Sequence, residues 1–493
     1  MSRRGLPPSA PVSPVSPVSP RAGRASRGSA ARAPRWHIWL LWGLMLATLP
    51  AVNPHVRSDG NEYYAYVRSI VIDHDLRFDN EYARAEDTFR EAMTGELGMS
   101  PAGYRRNIAS VGPSLLWTPF FLAAHGAVHV MQARGDAVLA DGYSWPYLWA
   151  CAAGTALYAF LALWLSYRMA LRFAAPTAAL FATVAIWLAS SLPVYLYFLP
   201  FHAHAMAMFS VAWFLWNWFR VRDGSDGRGR WFVWGLSAGL VVATYYINGL
   251  VLLAALIECV LRAFKPRQCV PTIIGGLIFS AGLILVVLPG LAIKGMLDGS
   301  WLATGYGDEL FFWRDPRLFA VAFSPEHGAF LWTPILLLAV VGLLWLIRRS
   351  PVVGTIVGVT FAVFYYALAS YRGWHGHSAY GSRFLVALTP FFIFGLAALA
   401  DAVCGTHRRR WMTAWGIAAV FVAWNAGFML QWGTNLVPNR GAVDFAVVAR
   451  NQVTVVPRAA WEFLNQYFRE RAAVVRDVER ADMPERQKFD LKR

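Results

Sequence analysis

The feature that most limits what this chain can fold into is the length of its uncharged stretches. Residues 144–166, 176–202, 271–293, 328–347, 351–371 and 411–431 contain no Asp, Glu, Lys or Arg. A segment of about 20 apolar residues crosses a ~30 Å hydrocarbon core, and a soluble core would interleave charged surface positions within such runs. The prior of several soluble domains for 493 residues therefore gives way to a polytopic, all-α membrane protein of about 10–12 transmembrane helices. The 57 % hydrophobic content and 23 Trp agree with that class.

Charge is placed as a membrane requires. Residues 1–35 form a basic tail with the low-complexity run "PVSPVSPVSP", too polar to bury a core and expected to be disordered and cytoplasmic. Arg-rich loops follow at 219–230, 262–267, 347–350 and 406–410, and positive-inside bias places all of them on the cytoplasmic side. That placement accounts for the net charge of +16 without nucleic acid as a partner. Cys151, Cys259, Cys269 and Cys404 lack paired spacing and read as small apolar residues, giving neither disulfides nor a zinc site.

Counting spans from these loops makes 231–261 a hairpin of two helices turning at Asn248-Gly249. It also makes 112–131 a re-entrant or interfacial helix, because both its ends fall on the outer side. Residues 36–432 then form the bundle, 53–111 its first outer loop, and 433–493 an outer C-terminal tail. Within that tail, 456–478 can form an amphipathic helix with Trp461, Leu464, Tyr467 and Phe468 on the side expected to dock on the bundle.

The outer segments hold the polar clusters that the spans lack. Asp59 and Glu62 open an amphipathic helix, 61–72, expected on the membrane surface with Tyr63, Val67, Ile70 and Val71 toward the lipid. Asp59 could be no more than the cap of that helix, with Glu62 completing a capping box. "DHD" at 73–75 matches a short metal motif but reads more simply as a solvated turn. "FHAH" supplies His202 and His204, and "SPEHGAFLWTP" supplies Glu326 and His327. "GWHGHSAYGSRF" gathers Trp374, His375, His377, Ser382 and Arg383. Arg383 departs from the positive-inside pattern, and its planar fork suits a phosphate.

The blocks "SDGNEYYAYVRSIVIDHDLRFDNEY", "NIASVGPSLLWTPFFL", "FSPEHGAFLWTPILLL" and "WHGHSAYGSRFLVALTPFF" resemble the GT-C superfamily of integral-membrane glycosyltransferases. The likeness is to the group of protein O-mannosyltransferases and lipid A aminoarabinose transferases, and most of all to an uncharacterised bacterial branch, over roughly residues 36–455. It implies an inverting glycosyltransferase of the bacterial inner membrane that takes a sugar from a polyprenyl-phosphate carrier. The acceptor would be an envelope lipid, glycan or protein at the extracytoplasmic face. Asp59 would be the general base and Arg383 the holder of the carrier phosphate, helped by His375 or His377. Glu62, His202, His204, Asn248, Glu326, His327, Trp374 and Ser382 would bind substrate. No cofactor is certain; some such enzymes use a divalent cation, but no secure ligand set is present. Two departures stand out. Glu62 replaces a glycine of the branch pattern, and the turn at "TYYINGL" lacks the Arg that the resemblance leads one to expect. The alternative from another class is a transporter or flippase of lipid-linked glycans, against which the spans carry almost no ionisable residue at mid-depth.

Overall fold

A computed structural model describes residues 33–85, 98–224, 227–302 and 310–478. The expected basic tail lies, as far as residue 32, outside the described residues. Among those described the chain is helical, with only two isolated bridges of extended backbone. Seven helices are long and apolar enough to cross a bilayer: Gly112–Ala133, Trp145–Ala170, Tyr246–Ala263, Pro266–Asp298, Pro351–Ser370, Arg383–Cys404 and Arg408–Gly433. Five shorter or less apolar helices pack among them: Arg35–Thr48, Pro176–Ala189, His204–Asp223, Arg228–Thr244 and Ile335–Arg349.

Where water is absent, helices associate through close backbone approach rather than apolar burial alone. The two most extensive helix contacts show this. A Cβ added to Gly235 would stand 2.0 Å from the Phe279 carbonyl oxygen, joining Arg228–Thr244 to Pro266–Asp298. One added to Gly342 would stand 2.1 Å from the Gly395 carbonyl oxygen, joining Ile335–Arg349 to Thr389–Cys404.

The bundle has two chemically distinct ends. At one, Arg172 pairs with Asp223, Arg349 with Asp401, and Glu258 with Arg222 and Arg262. The hairpin 228–263 has both feet there, where Arg230 reaches the Arg220 carbonyl (3.4 Å) and Arg262 the Val221 carbonyl (3.0 Å). Its turn, Tyr246–Leu252, lies at the opposite end, as the charge pattern predicts. That opposite end gathers the polar segments and holds the candidate site.

Gly112–Ala133 is one unbroken helix antiparallel to Trp145–Ala170: Trp117 donates to Thr155 (2.8 Å), and His125 meets the Tyr147 hydroxyl (2.7 Å). The segments flanking it both return to the Gly60–Arg68 helix, Asn107 donating to the Glu62 carbonyl (2.9 Å) and Tyr64 to that of Gly142 (2.5 Å). Re-entrant connectivity thus coexists with a length that would suffice to span.

Two expectations fail. The helix after Asp59 runs Gly60–Arg68, continues in a wider π turn, Ser69–Asp73, and is buried, not laid on the surface. Glu62, Tyr63, Tyr64, Tyr66 and Val67 are all buried, because Tyr64 and Tyr66 find carbonyl partners inside the bundle and so need no water. The C-terminal helix Val456–Arg469 docks only partly through its predicted face. Tyr467 is buried and donates to the Ala51 carbonyl (2.8 Å) and Leu464 is half-buried, whereas Trp461 and Phe468 point outward.

Candidate active site

The site forms where five chain segments meet, and its centre is a contact between residues 324 apart. Arg383 donates from its guanidinium to the Asp59 carboxylate at 2.6 Å. Asp59 stands at the N-terminus of Gly60–Arg68, but its side chain does not cap that helix. The capping box is therefore absent, and the carboxylate is left for Arg383. Two glycines make the contact feasible. A Cβ on Gly60 would come within 2.9 Å of Phe201 Cβ, so glycine lets Asp59 lie against the corner that carries His202. A Cβ on Gly376, at φ +71°, would stand 3.0 Å from Arg383 Nε, so glycine lets the loop pass close to the guanidinium.

The pair is recessed but not sealed: Arg383 is 14 % exposed and Asp59 42 %. Enclosure pushes the Asp59 carboxyl up, but Arg383 and, more weakly, His202 and His204 outweigh it and hold it well below the usual carboxylate range. Glu62, one helical turn on, behaves in the opposite way. Burial first and the Asp59 charge second push it up to about 8, against the pull of Lys294 and the Ala109 N–H. Two carboxyls three residues apart are thus set to different protonation states. His202 is driven down to about 4, chiefly by burial and further by Arg383, so it is a neutral imidazole at pH 7.

Tyrosines wall the site. The Tyr195 hydroxyl accepts from Tyr380 N–H (3.1 Å) and its ring packs on His204 (4.8 Å between centroids). Tyr245, at the head of the hairpin turn, packs on His204 (5.4 Å) and Phe384 (6.0 Å). A second polar group adjoins Arg383 through the loop 373–382. His375 lies 3.5 Å from Glu326 and stacks edge-on with His377, and His377 N–H donates to His375 Nδ1 (3.1 Å). His327 packs on Trp332, and burial drives it down to about 3. Ser58, His327 and His377 all adopt positive φ, so three of the five such non-glycine residues among those described lie at this site. Backbone strain of this kind gathers where function fixes a conformation.

Every site residue singled out from the sequence lies at this end of the bundle. Asp59, Glu62, His202, His204 and Arg383 form the centre, and Glu326, His327, Trp374, His375, His377 and Ser382 form the adjoining rim. Asn248 is buried in the turn that also carries Tyr245. Several of these polar groups have no protein partner: both ring nitrogens of His202, both amide atoms of Asn248, Ser382 Oγ, Trp374 Nε1 and Arg383 Nε. A buried polar group left unpaired costs about 1–3 kcal/mol, so such a concentration points to a polar ligand. "DHD" stays apart: Asp73 binds Arg68 and Asn80, while Asp75 accepts from Ser69 and from the Arg77 N–H, all holding the turn. Among the described residues no three His, Cys, Asp or Glu side chains converge as a metal site would need.

Lys294 is the member that the sequence concealed. It ends an apolar run and reads as a residue reaching for the interface, yet it is 1 % exposed. Its ammonium donates to the Asn107 carbonyl and lies 3.8 Å from Asp298, fixing the loop behind Glu62.

An all-helical bundle with its polar centre at one end, behind a juxtamembrane loop, is the architecture of GT-C integral-membrane glycosyltransferases, and the chain has that fold. It is similar to ArnT from Cupriavidus metallidurans, whose crystal structure is bound to undecaprenyl phosphate. The TM-score is 0.50 at 15 % identity, over 90 % of this chain and 73 % of that one. No family model and no curated protein sequence matches the chain.

Proposed function

We propose that the protein is an inverting glycosyltransferase that moves a sugar from a polyprenyl-phosphate carrier to a hydroxyl acceptor at the extracytoplasmic face of the bacterial inner membrane. The observation that carries the reading is the Asp59–Arg383 pair, ringed by unpartnered polar groups, with an apolar cavity beside it whose wall includes the site residues Tyr245 and Phe384. That cavity, about 420 Å³, is lined by Tyr63, Tyr245, Ile247, Trp313, Tyr371 and Phe384 among others, a surface suited to an isoprenoid chain. The Arg-rich end opposite the site supports the extracytoplasmic orientation, by positive-inside bias.

In the resting site Arg383 neutralises Asp59 and so keeps it a weak base. A carrier phosphate entering from the apolar cavity meets the free Nε–H of Arg383 and draws the guanidinium toward itself. Asp59, relieved of its partner within a low-dielectric recess, becomes more basic. The acceptor hydroxyl gives its proton to Asp59 as its oxygen bonds the anomeric carbon. The carbon–oxygen bond to phosphate breaks with its electron pair on the leaving phosphate, which Arg383 stabilises. Neutral His202 and the amide of Asn248 are placed to bind sugar hydroxyls, and the buried, protonated Glu62 can donate a hydrogen bond beside the base.

Reconstitution tests this. Purified protein offered undecaprenyl-phosphate sugars and envelope extract should transfer sugar, and Asp59→Asn and Arg383→Gln should each abolish transfer while remaining folded. Transfer by folded Asp59→Asn at the wild-type rate would remove Asp59 from the chemistry.

A further inference from the structure

A second opening near Asp59 shares no lining residue with the 420 Å³ cavity, and a carrier chain does not need it. It starts as a polar pocket of about 60 Å³, lined by Ser58 and His202, with room for about two waters. The Ser58 hydroxyl donates to the Asp59 carboxylate at 3.4 Å, so Ser58 links this pocket to the proposed base. Arg57, Trp432, Gly433 and Val478 are shared between this pocket and an apolar cavity of about 370 Å³. The larger space lies between the Arg408–Gly433 helix and the C-terminal segment, with Phe463 and Val475 on its wall. Its volume is within the range that encloses the apolar body of a small ligand.

Three arginines gather at this end of the cavity, of which Arg57 lines it, with Asp477 as the acidic neighbour of Arg476 in the chain. His55, burial aside, feels Arg471, Arg57 and Arg476 together. Arg471 is fixed by donating to the carbonyls of Val52 and Pro50 (both 2.6 Å). The helix bounding the cavity also turns Trp461 and Phe468 outward, as a helix seated in a lipid interface does. Apolar cavity, cationic mouth and polar neck leading to a carboxylate follow one another in that order.

We infer that this opening is the acceptor side and takes an anionic membrane lipid. The acyl chain occupies the 370 Å³ cavity, the acidic headgroup lies against Arg57, Arg471 and Arg476, and a headgroup hydroxyl reaches Asp59 through the narrow pocket. The acceptor role rests on the transferase reading; the lipid site does not.

The test uses full-length protein in nanodiscs with phosphatidylglycerol carrying a diazirine in its acyl chain, and the matching phosphatidylcholine as the neutral comparison. Adducts on Leu430, Phe463 and Val475 should favour phosphatidylglycerol by about tenfold, given the headgroup attraction of clustered arginines. Ala460→Trp, which fills the cavity, should remove these adducts, and Ala426→Phe on the opposite wall serves if that variant does not fold. Arg476→Gln, an exposed change, should lower the preference without disturbing the Arg471 anchor. Equal labelling by the two lipids would mean ordinary annular lipid only and overturn the proposal. Preferential labelling in both wild type and Asp59→Asn, with no sugar transfer from any donor, would uphold the lipid site and defeat the transferase reading. Sugar transfer undiminished in Ala460→Trp would uphold the transferase and overturn the acceptor side.

Discussion

Replacing Asp59 by Asn separates two roles that the Asp59–Arg383 contact combines. Removing a general base lowers turnover by about 10²–10⁴. The same change should tighten binding of the carrier, since Arg383 no longer has to leave an anionic partner. A hydrogen bond to a charged group contributes about 1.5–3 kcal/mol. With 42 % of the Asp59 side chain open to solvent, screening reduces this to about 1 kcal/mol, or about fivefold in affinity. Titration calorimetry of undecaprenyl phosphate into wild type and Asp59→Asn in nanodiscs reads the second effect, and single-turnover transfer reads the first. The expected pattern is tighter carrier binding together with lost turnover. A variant that binds the carrier more weakly than wild type would refute the reasoning, because Asp59 would then be holding the carrier or its sugar and not competing for Arg383.

Glu62→Gln should change the pH dependence of stability. Because the folded-state pKa of Glu62 is raised to about 8, the native protein keeps a proton that the unfolded chain releases, so wild type loses stability as pH rises from the ordinary Glu value toward 8. The Gln variant lacks that loss, and thermal unfolding at about pH 5 and about pH 9 should show the two proteins diverging only at the higher pH. Gly60→Ala should force Phe201 and Asp59 apart, reduce turnover by about 10–100-fold and cost about 1–3 kcal/mol of stability in thermal unfolding, since the new Cβ meets Phe201 Cβ at 2.9 Å. Lys294→Met strands Asp298 and frees the loop at Asn107, and should destabilise the protein by about 3 kcal/mol. The double change with Asp298→Asn should recover most of that in the same unfolding assay.

Much of the site was legible because its background is silent. In spans without charge, Asp59, His202 and Arg383 are conspicuous, and the departure of Arg383 from positive-inside bias singled it out before any contact was known. The hairpin at 228–263 followed from the same count of arginines. What pattern could not supply was pairing: that Asp59 meets Arg383 rather than its own helix end depends on Gly60 and Gly376 bringing distant segments together. Tyrosine misled in the first outer helix, because its ring suits a core and its hydroxyl suits water. Tyr64 and Tyr66 are buried because carbonyls of Gly142 and Ala109 take the place of solvent, and a surface helix was expected for want of those partners. Tyr467 turns inward for the same reason, toward Ala51, carrying its helix round so that Trp461 and Phe468 face out. Lys294 was hidden by its position at the end of an apolar run, where a cation usually extends to the interface. Burial at that position follows only when a loop 187 residues away in sequence brings it a carbonyl and Asp298 supplies a counter-charge. Sequence therefore locates charge that a membrane would not tolerate without cause, while the partner that supplies the cause becomes visible only in the folded chain.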